Sequence, residues 1–229
     1  MYYRVVGKNN KDFIDKLKDA KIINSKVVFD AMKNVDRGNY CTNQPYFDSP
    51  QSIGHRATIS APHMHAMALE KLEENLKPGC KALDIGVGSG YLAACMAEMV
   101  GEKGKVIGID YIEELVELAE SNLTRDKKMP SDIIELRTAD GWKGAADEAP
   151  FNAIHVGAAA TSVPKALIAQ LAPGGRMIIP VGPPGGHQEL LQIDKDPESG
   201  ALSEQSICGV IYVPLVGDDD DNSSSDNDK

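Results

Sequence analysis

Apolar residues recur at helical spacing in the first third of the chain. This spacing predicts a helix over residues 11–20 and a second over 26–35, where Asn24 and Ser25 precede the start and can cap it. The apolar positions of these two segments are Phe13, Ile14 and Leu17, followed by Val27, Val28, Ala31, Met32 and Val35. The pattern is lost over 36–59, where glycines, prolines and isolated aromatics predict a long ordered loop.

A third helix is expected to begin at Pro62, because proline fits the first turn of a helix. Ser60 or Ala61 would then be its cap. Residues 62–76 continue the helical pattern, and their core-facing positions are Met64, Met67, Ala68, Leu72 and Leu76.

From Gly79 onward, short apolar runs alternate with amphipathic segments. The runs predict strands over 81–86, 105–110, 132–138, 151–157 and 174–182, and the segments between them predict helices over 91–100, 112–123 and 163–171. Such alternation is typical of a parallel sheet with right-handed crossovers and helices on both faces. The last two runs, 189–196 and 206–215, have only a turn-rich link between them, so we expect an antiparallel hairpin that closes the sheet.

Together these patterns place the chain in the α/β class, with a mostly parallel doubly wound sheet, a C-terminal antiparallel hairpin and N-terminal helices. We expect one domain over 1–217, in which 1–61 supplies the N-terminal helices and an active-site loop and 62–217 forms the α/β core. Residues 218–229 are polar and of low complexity, which predicts a disordered acidic tail.

Charge and cysteine content narrow the classes of partner. The tail carries −5 of the net charge of −10, so the remaining 217 residues are only mildly acidic and a nucleic-acid partner is not expected. No apolar run approaches the roughly 18 residues that a membrane span needs, and the start lacks the pattern of a signal peptide. The four cysteines are scattered and form no Cys-x-x-Cys pair, which indicates reduced thiols in a cytoplasmic protein.

The first candidate site lies where the strand 81–86 meets the following helix. Asp84 lies inside this strand, and the turn after it contains Gly86, Gly88, Ser89 and Gly90. Glycines allow the backbone to turn sharply and a ligand to approach it closely, at the edge of a parallel sheet where ligands bind. The turn therefore predicts a cofactor site.

Two kinds of cofactor fit this turn. Residues 88–93 satisfy the dinucleotide fingerprint and Asp110 follows Gly90 by 20 residues, as in a nicotinamide-dependent dehydrogenase. The carboxylate of Asp84 would repel a pyrophosphate, however, whereas it suits a ligand with an ammonium group. Two carboxylates around a glycine turn favour S-adenosylmethionine, because this cofactor carries a ribose, an ammonium group and a sulfonium.

Two further segments carry candidate binding residues. Asp140, followed by Gly141 and Trp142, comes after the third strand of the alternating region; its carboxylate suits an adenine amino group, and an Asp-Gly turn explains it equally well. Ser52, Thr58 and Ser60 place hydroxyl groups before the third helix, where backbone N–H groups bind carboxylates.

Metal and serine-hydrolase chemistry are disfavoured. His55, His63 and His65 lie within 11 residues, but His63 and His65 point to different sides of a helix and no acid or cysteine completes a ligand set. We therefore expect no metal. The nucleophile-elbow pattern Gly-x-Ser-x-Gly places glycine at 88, where the nucleophile should be, and so it fails.

The chain resembles the protein-L-isoaspartate (D-aspartate) O-methyltransferase family over roughly residues 10–216, and its animal members in particular. The motifs that carry the resemblance are TISAPHMHA, LDIGVGSGY, VIGIDYIEELVELA, APFNAIHVGAAA, QLAPGGRMIIPVGPPGG and GVIYVPL. The resemblance implies a Rossmann-like methyltransferase fold with S-adenosylmethionine as the methyl donor and S-adenosylhomocysteine as a product. It also implies methylation of the free α-carboxyl of L-isoaspartyl and D-aspartyl residues in damaged proteins and peptides, which are the expected partners. Separately, we expect the protein to be a monomer.

The resemblance assigns roles to particular residues, with Ser60 as the catalytic or substrate-orienting serine. The expected cofactor-binding residues are Ala57, Thr58, Ile59, Ser60, His65, Asp84, Gly86, Gly88, Ser89, Gly90, Asp110, Tyr111, Asp140, Gly141, Trp142 and Val216. The expected substrate-binding residues are Ser60, Val213 and Val216. Val213 is included because we expect residues 209–216 to pair with the backbone of the substrate.

The chain departs from the family pattern at Trp142, where arginine is common, and at Val216, where threonine is common. Two alternatives therefore stay open beside the methyltransferase. One is the dehydrogenase, and the other is a methyltransferase-like adaptor without catalysis.

Overall fold

The computed structural model describes residues 5–126 and 132–217, and the predicted acidic tail lies outside them. Helix α1 (Asn10–Asp19) and helix α2 (Lys26–Asn34) form the N-terminal layer, as expected. The Ser25 hydroxyl caps α2 by accepting from the backbone N–H groups of Val27 and Val28. Among the apolar residues at helical spacing in α2, Val28, Ala31 and Met32 are buried, whereas Val27 is 46% exposed. Val27 lies in the first turn of α2, where the start of the helix is exposed to solvent.

The segment 36–59 is more regular than the predicted loop. It contains a short 3-10 helix, Arg37–Asn39, and an antiparallel hairpin of strands β1 (Gln51–Gly54) and β2 (Ala57–Ile59). The hairpin turn contains His55 and Arg56, which have φ of +48° and +59°. The sequence prediction missed this hairpin because its strands are too short to show alternation and its turn places non-glycine residues in the left-handed region.

Helix α3 (Pro62–Leu72) begins at the expected proline. Its cap is Ala61, and no side chain makes a capping hydrogen bond, so the hydroxyl of Ser60 is not used by the helix. Leu72 is buried on its inner face, whereas Met64 and Met67 are half-buried at the edge of the core.

The rest of the chain forms a seven-stranded sheet in the order β5-β4-β3-β6-β7-β8-β9. The elements that build it, with the helices between them, are β3 (Lys81–Ile85), α4 (Tyr91–Val100), β4 (Lys105–Asp110), α5 (Glu113–Arg125), β5 (Ile134–Thr138), β6 (Phe151–Val156), α6 (Lys165–Gln170), β7 (Leu171–Val181), β8 (Gln188–Lys195) and β9 (Leu202–Val210). Strands β3 to β7 pair in parallel, and β7, β8 and β9 pair antiparallel. The mostly parallel sheet and its C-terminal hairpin are therefore confirmed.

Side chains alternate between the two faces of the sheet, and each face has its own core. Ala82 of β3 belongs to the core shared with α1 to α5, whereas Leu83 belongs to the core shared with α6. The order of the strands reverses between β3 and β6, which makes the carboxyl ends of these two strands the expected ligand site of an open parallel sheet. Across the described ranges, no helix has both the length and the apolar character of a membrane span.

Candidate functional site

The glycine turn between β3 and α4 adopts a conformation that side chains disfavour. Gly86, Gly88 and Gly90 have φ of +72°, +52° and +83°. The N–H groups of Gly86 and Val87 both donate to the carbonyl of Ile109, at 2.8 and 3.0 Å, which joins the turn to β4. Gly90 begins α4 and lies against α5. The turn is thus held rigidly from both sides, while Gly86 and Gly88 leave its cavity side open.

Asp84 and His155 form a buried pair beneath this turn. They are register partners on β3 and β6, and Nδ1 of His155 lies 2.7 Å from Oδ1 of Asp84. Asp84 is 1% exposed and His155 is 7% exposed. An acceptor-only carboxylate fixes the proton of the imidazole on Nδ1, so His155 orients Asp84 by donating to it.

Asp110, at the end of β4, is held by backbone donors. Its carboxylate accepts from the N–H of Gly88 at 3.0 Å and from the N–H of Ile112 at 3.2 Å. Burial raises the pKa of Asp110, and these backbone hydrogen bonds partly oppose the rise. The second predicted carboxylate therefore lies beside the glycine turn in a fixed orientation.

These groups surround an inner cavity of about 390 Å³. Of the residues expected at the cofactor, the inner cavity is lined by Ala57, Thr58, Gly86, Gly88, Asp110, Tyr111, Gly141 and Val216. A side chain at Gly141 would approach Ile85 and Leu215 to 2.8 Å, so glycine is needed there for close packing of the wall.

Asp84 lies deeper, in a small cavity of about 30 Å³ next to the inner cavity. This small cavity brings together Ile59, Ser60, His65, Asp84 and Ser89, all of which were expected at the cofactor. Gly90 is the one glycine of the turn that lines neither cavity among the described residues.

Asp140 and Trp142 do not line the inner cavity within the described part of the chain. Asp140 accepts a hydrogen bond from the backbone N–H of Trp142 at 2.9 Å, and the indole N–H of Trp142 donates to the carbonyl of Leu215 at 3.0 Å. Trp142 thus holds the C-terminal segment that forms one wall of the inner cavity. The expected role of Trp142 in cofactor binding stays a prediction.

An open cleft of about 900 Å³ reaches the same region from the outside. Ser60 lines both the open cleft and the small cavity, and Thr58 and Gly157 line all three spaces. Val213 lines the open cleft and the inner cavity, whereas Val216 lines the inner cavity only. Ser60 therefore lies where a large external ligand and a small buried one would meet.

His65 faces the small cavity and is held by a buried arginine. Nη1 of Arg37 lies 3.2 Å from Nδ1 of His65, and Nη2 donates to the carbonyl of Ser60 at 2.9 Å. Burial is the main cause that holds the pKa of His65 well below its usual range, and the charge of Arg37 adds to it. His65 is therefore a neutral ring at physiological pH.

One wall of the open cleft is the extended segment that follows β9. The side-chain amide of Gln188 binds both backbone groups of Tyr212, accepting from its N–H at 2.7 Å and donating to its carbonyl at 3.3 Å. Tyr212 and Ser60 both line the open cleft. Burial raises the pKa of the Tyr212 phenol, so the phenol stays protonated and can donate.

The sequence analysis missed Arg37, His155, Gln188 and Tyr212. A signal existed for His155, because it is a polar residue between the apolar Ile154 and Val156 on the strand next to that of Asp84. Arg37, Gln188 and Tyr212 depend on contacts between distant segments. Among the described residues, no three histidine, cysteine or acidic side chains are grouped as metal ligands.

The fold and the site together define a class of protein. A mostly parallel sheet with this strand order, a glycine turn after its central strand and a buried acid at the end of the next strand are the features of a Rossmann-like, S-adenosylmethionine-dependent methyltransferase.

Comparison with known proteins identifies the family within this class. The family model of the protein-L-isoaspartate(D-aspartate) O-methyltransferases matches residues 8–220. A protein-L-isoaspartate O-methyltransferase of Caenorhabditis elegans is 48% identical over 94% of this chain and 96% of its own length. Protein-L-isoaspartate O-methyltransferase 1 of Arabidopsis thaliana is 46% identical over 90% of this chain and 91% of its own. The chain therefore belongs to the protein-L-isoaspartate(D-aspartate) O-methyltransferase family.

A solved structure supports this assignment. The crystal structure described as a protein-L-isoaspartate O-methyltransferase from Plasmodium falciparum, in complex with S-adenosyl-L-homocysteine, superposes with a TM-score of 0.82 at 35% identity. The match covers 91% of this chain and 99% of that one.

Proposed function

We propose that this protein transfers the methyl group of S-adenosylmethionine to the free α-carboxyl of L-isoaspartyl and D-aspartyl residues in damaged proteins and peptides. The product ester would then cyclise to a succinimide, which reopens partly as normal aspartate. The observation that carries this proposal is the position of Ser60, where the open cleft meets the small cavity that contains Asp84.

The residues around the inner and small cavities fit the proposed cofactor. The buried carboxylate of Asp84 suits its ammonium group, and that of Asp110 suits its ribose hydroxyls. Gly86 and Gly88 allow the ligand to approach the backbone closely. When it is bound, S-adenosylmethionine supplies an electrophilic methyl group on a sulfonium.

The proposed reaction does not require the protein to remove a proton from the substrate. An α-carboxyl group has an ordinary pKa of about 3.5 and is ionised at neutral pH, so no general base is needed. The hydroxyl of Ser60 and the phenol of Tyr212 would instead donate to the substrate carboxylate and orient it. Ser60 is free for this role because it does not cap α3.

We infer that the enzyme recognises the backbone of the substrate rather than its side chains. Gln188 holds Tyr212 in the extended segment 211–216, and the carbonyl of Val213 accepts from the N–H of Ala159 at 2.8 Å. Among the described residues, the N–H of Val213 and both backbone groups of Ile211 have no hydrogen-bond partner. These groups can pair with an extended peptide, as in β-strand addition.

The two alternatives are less well supported. A dinucleotide would place its pyrophosphate near Asp84, a buried carboxylate without a neighbouring lysine or arginine in an ion pair among the described residues. An adaptor without catalysis does not require the arrangement of Ser60, Asp84 and Asp110 that this chain keeps. We expect S-adenosylhomocysteine to change the intrinsic fluorescence on binding and NADH to leave it unchanged.

We also propose that the protein is a cytoplasmic monomer and does not bind nucleic acid. Cys41 and Cys95 are buried free thiols, which suits a reducing compartment. Exposed large apolar side chains in the described ranges are either isolated, as at Val6 and Leu202, or next to the cofactor and cleft region, as at Ile211. Light scattering of the purified protein tests the oligomeric state.

The activity is tested by replacing Ser60 with alanine and measuring methyl transfer to an isoaspartyl peptide. The loss of a hydrogen bond to a charged group lowers kcat/KM by about tenfold or more. Ser52→Ala is the matched control, because Ser52 lies in β1 and is exposed. Equal rates for Ser60→Ala and the wild type would contradict the proposed role of Ser60.

A further inference from the structure

Arg37 is a buried cation next to the proposed substrate site. Its side chain is 1% exposed, and it makes no ion pair among the described residues. Its neighbours are the ring of Tyr91, whose centroid lies 5.2 Å from the guanidinium carbon, and the polar groups of Ser60 and His65. Its Nε atom is buried and has no hydrogen-bond partner in the part of the chain that the structure describes. A buried cation that is not paired with an anion destabilises a fold. An anionic ligand that binds near Arg37 would reduce this cost.

The carboxylates of the chain near Arg37 are already engaged. Asp48 contributes to the electrostatic environment of Arg37, but its carboxylate lies 2.8 Å from Nδ1 of His63 and accepts from the His63 backbone N–H at 3.0 Å. Asp36, the preceding residue, caps the 3-10 helix and accepts from the phenol of Tyr46 at 2.9 Å. Among the described residues, neither of these carboxylates therefore pairs directly with Arg37.

The two hydrogen bonds of Arg37 lead directly to the proposed substrate site. Nη2 holds the carbonyl of Ser60, and Nη1 holds Nδ1 of His65. A guanidinium has only donors, so Nδ1 of His65 must be the acceptor and its proton must be on Nε2. Arg37 thus fixes the main chain at Ser60 and selects the tautomer of a ring that lines the small cavity.

We propose that Arg37 is a positioning residue for the substrate carboxylate. It acts through Ser60 and His65, and its charge attracts an anion to the junction of the open cleft and the small cavity. This inference rests on the proposed function, because the anion is the α-carboxylate of the isoaspartyl residue.

The charge of Arg37 has opposite effects on the two ligands. The isoaspartyl carboxylate is negative, whereas S-adenosylmethionine carries a net positive charge at neutral pH. Loss of the charge therefore weakens peptide binding without weakening cofactor binding. Damage to the fold would weaken both, so the two KM values distinguish a positioning role from a merely structural one.

The kinetic experiment compares Arg37→Gln and Arg37→Lys with the wild type. Arg37→Gln raises KM for an isoaspartyl peptide by about tenfold or more, while KM for S-adenosylmethionine does not rise. Arg37→Lys keeps the charge and recovers a large part of the peptide affinity. Arg125→Gln is the matched control, because exposed Arg125 donates to the carbonyl of Asn39 at the other end of the same 3-10 helix. A rise in both KM values, or in neither, overturns the proposal.

A spectroscopic measurement on the folded wild-type protein tests the same inference without turnover. The ¹⁵N resonances of His65, assigned by their absence from His65→Gln, should show a neutral ring protonated on Nε2. A ring protonated on Nδ1 overturns the proposal even if Arg37→Gln fails to fold. The two proposals fail in different ways. Absence of methyl transfer by the wild type contradicts the proposed function, and the protonation site of His65 tests the contact between Arg37 and His65 independently of activity.

Discussion

Asp84 and His155 face each other across β3 and β6, the two strands between which the strand order of the sheet reverses. The imidazole donates to one carboxylate oxygen at 2.7 Å, and both side chains are buried. The histidine thereby holds the acid in one orientation at the place where a parallel sheet binds its ligand. The contact that joins the two strands therefore also orients the carboxylate that we propose binds the cofactor.

Replacing Asp84 with asparagine should weaken the binding of S-adenosylhomocysteine by at least about tenfold, because a charged acceptor for the ammonium group becomes neutral. The fold should be retained, since the asparagine oxygen still accepts from His155. Isothermal titration calorimetry measures the affinity. Asp30→Asn is the control, because Asp30 is paired with Lys26 on the surface of α2, outside the site. Unchanged affinity in Asp84→Asn would remove Asp84 from the cofactor site.

Gly90 and Gly200 separate the cost of backbone strain from the cost of crowding. Both have positive φ, +83° and +69°, so alanine at either position should cost about 1–2 kcal/mol of stability. A side chain at Gly90 would also lie 3.2 Å from Cβ of Ala119 in α5, whereas Gly200 has nothing within 4 Å. Denaturant unfolding should therefore show a larger loss for Gly90→Ala than for Gly200→Ala. Equal losses of unfolding free energy would mean that α5 shifts to accommodate the new side chain without destabilising the fold.

Val213→Pro tests the proposed recognition of the peptide backbone. Proline removes an N–H that has no partner among the described residues, so the fold loses no known hydrogen bond while a bound peptide loses a donor. We expect KM for an isoaspartyl peptide to rise severalfold and the affinity for S-adenosylhomocysteine to fall less. Val213→Ala keeps the N–H and separates this effect from that of the side chain. Equal loss of both ligands in Val213→Pro would contradict the proposal.

The pair of His63 and Asp48 at the edge of the open cleft should make stability depend on pH. The hydrogen bond to Asp48 raises the pKa of His63 in the folded protein. The pKa of a histidine in the unfolded chain is about 6.5, and below that pH the pair stabilises the fold fully. This stabilisation is lost as the pH rises through the higher pKa that His63 has in the folded protein.

The measurement compares the free energy of unfolding of the wild type with that of His63→Gln at about pH 5.5 and about pH 8.5. The side chain of His63 is 43% exposed, so the pair contributes no more than about 1 kcal/mol. The advantage of the wild type should shrink as the pH rises. An advantage that grows with pH would show that the pair does not act through the protonated ring.

The sequence was most informative where local pattern and fold agree. The strand that contains Asp84, the glycine turn after it and Asp110 at the end of the next strand all follow from the alternation of strands and helices. These residues meet because consecutive parallel strands end at the same edge of a sheet. The wall of the inner cavity that contains the glycine turn and Asp110 was therefore predictable from residues 81–110.

The substrate side of the site was less predictable because it depends on contacts between distant segments. Arg37 reaches the carbonyl of Ser60 from a 3-10 helix that has no sequence signature. The side-chain amide of Gln188 forms two hydrogen bonds with the backbone of Tyr212, as a neighbouring strand would. No spacing in the sequence indicates this contact. The motif GVIYVPL carries part of the family resemblance, but only the coordinates show that its Tyr212 lines the same cleft as Ser60.

The most direct test of the account uses two synthetic peptides that differ only at one residue, L-isoaspartate in one and L-aspartate in the other. Each is incubated with the protein and methyl-labelled S-adenosylmethionine, and base-labile methyl ester is counted. The account predicts label on the isoaspartyl peptide alone, which would establish the reaction, the acceptor group and the selectivity together. Equal label on both peptides, or no label on either while S-adenosylhomocysteine still binds, would contradict it.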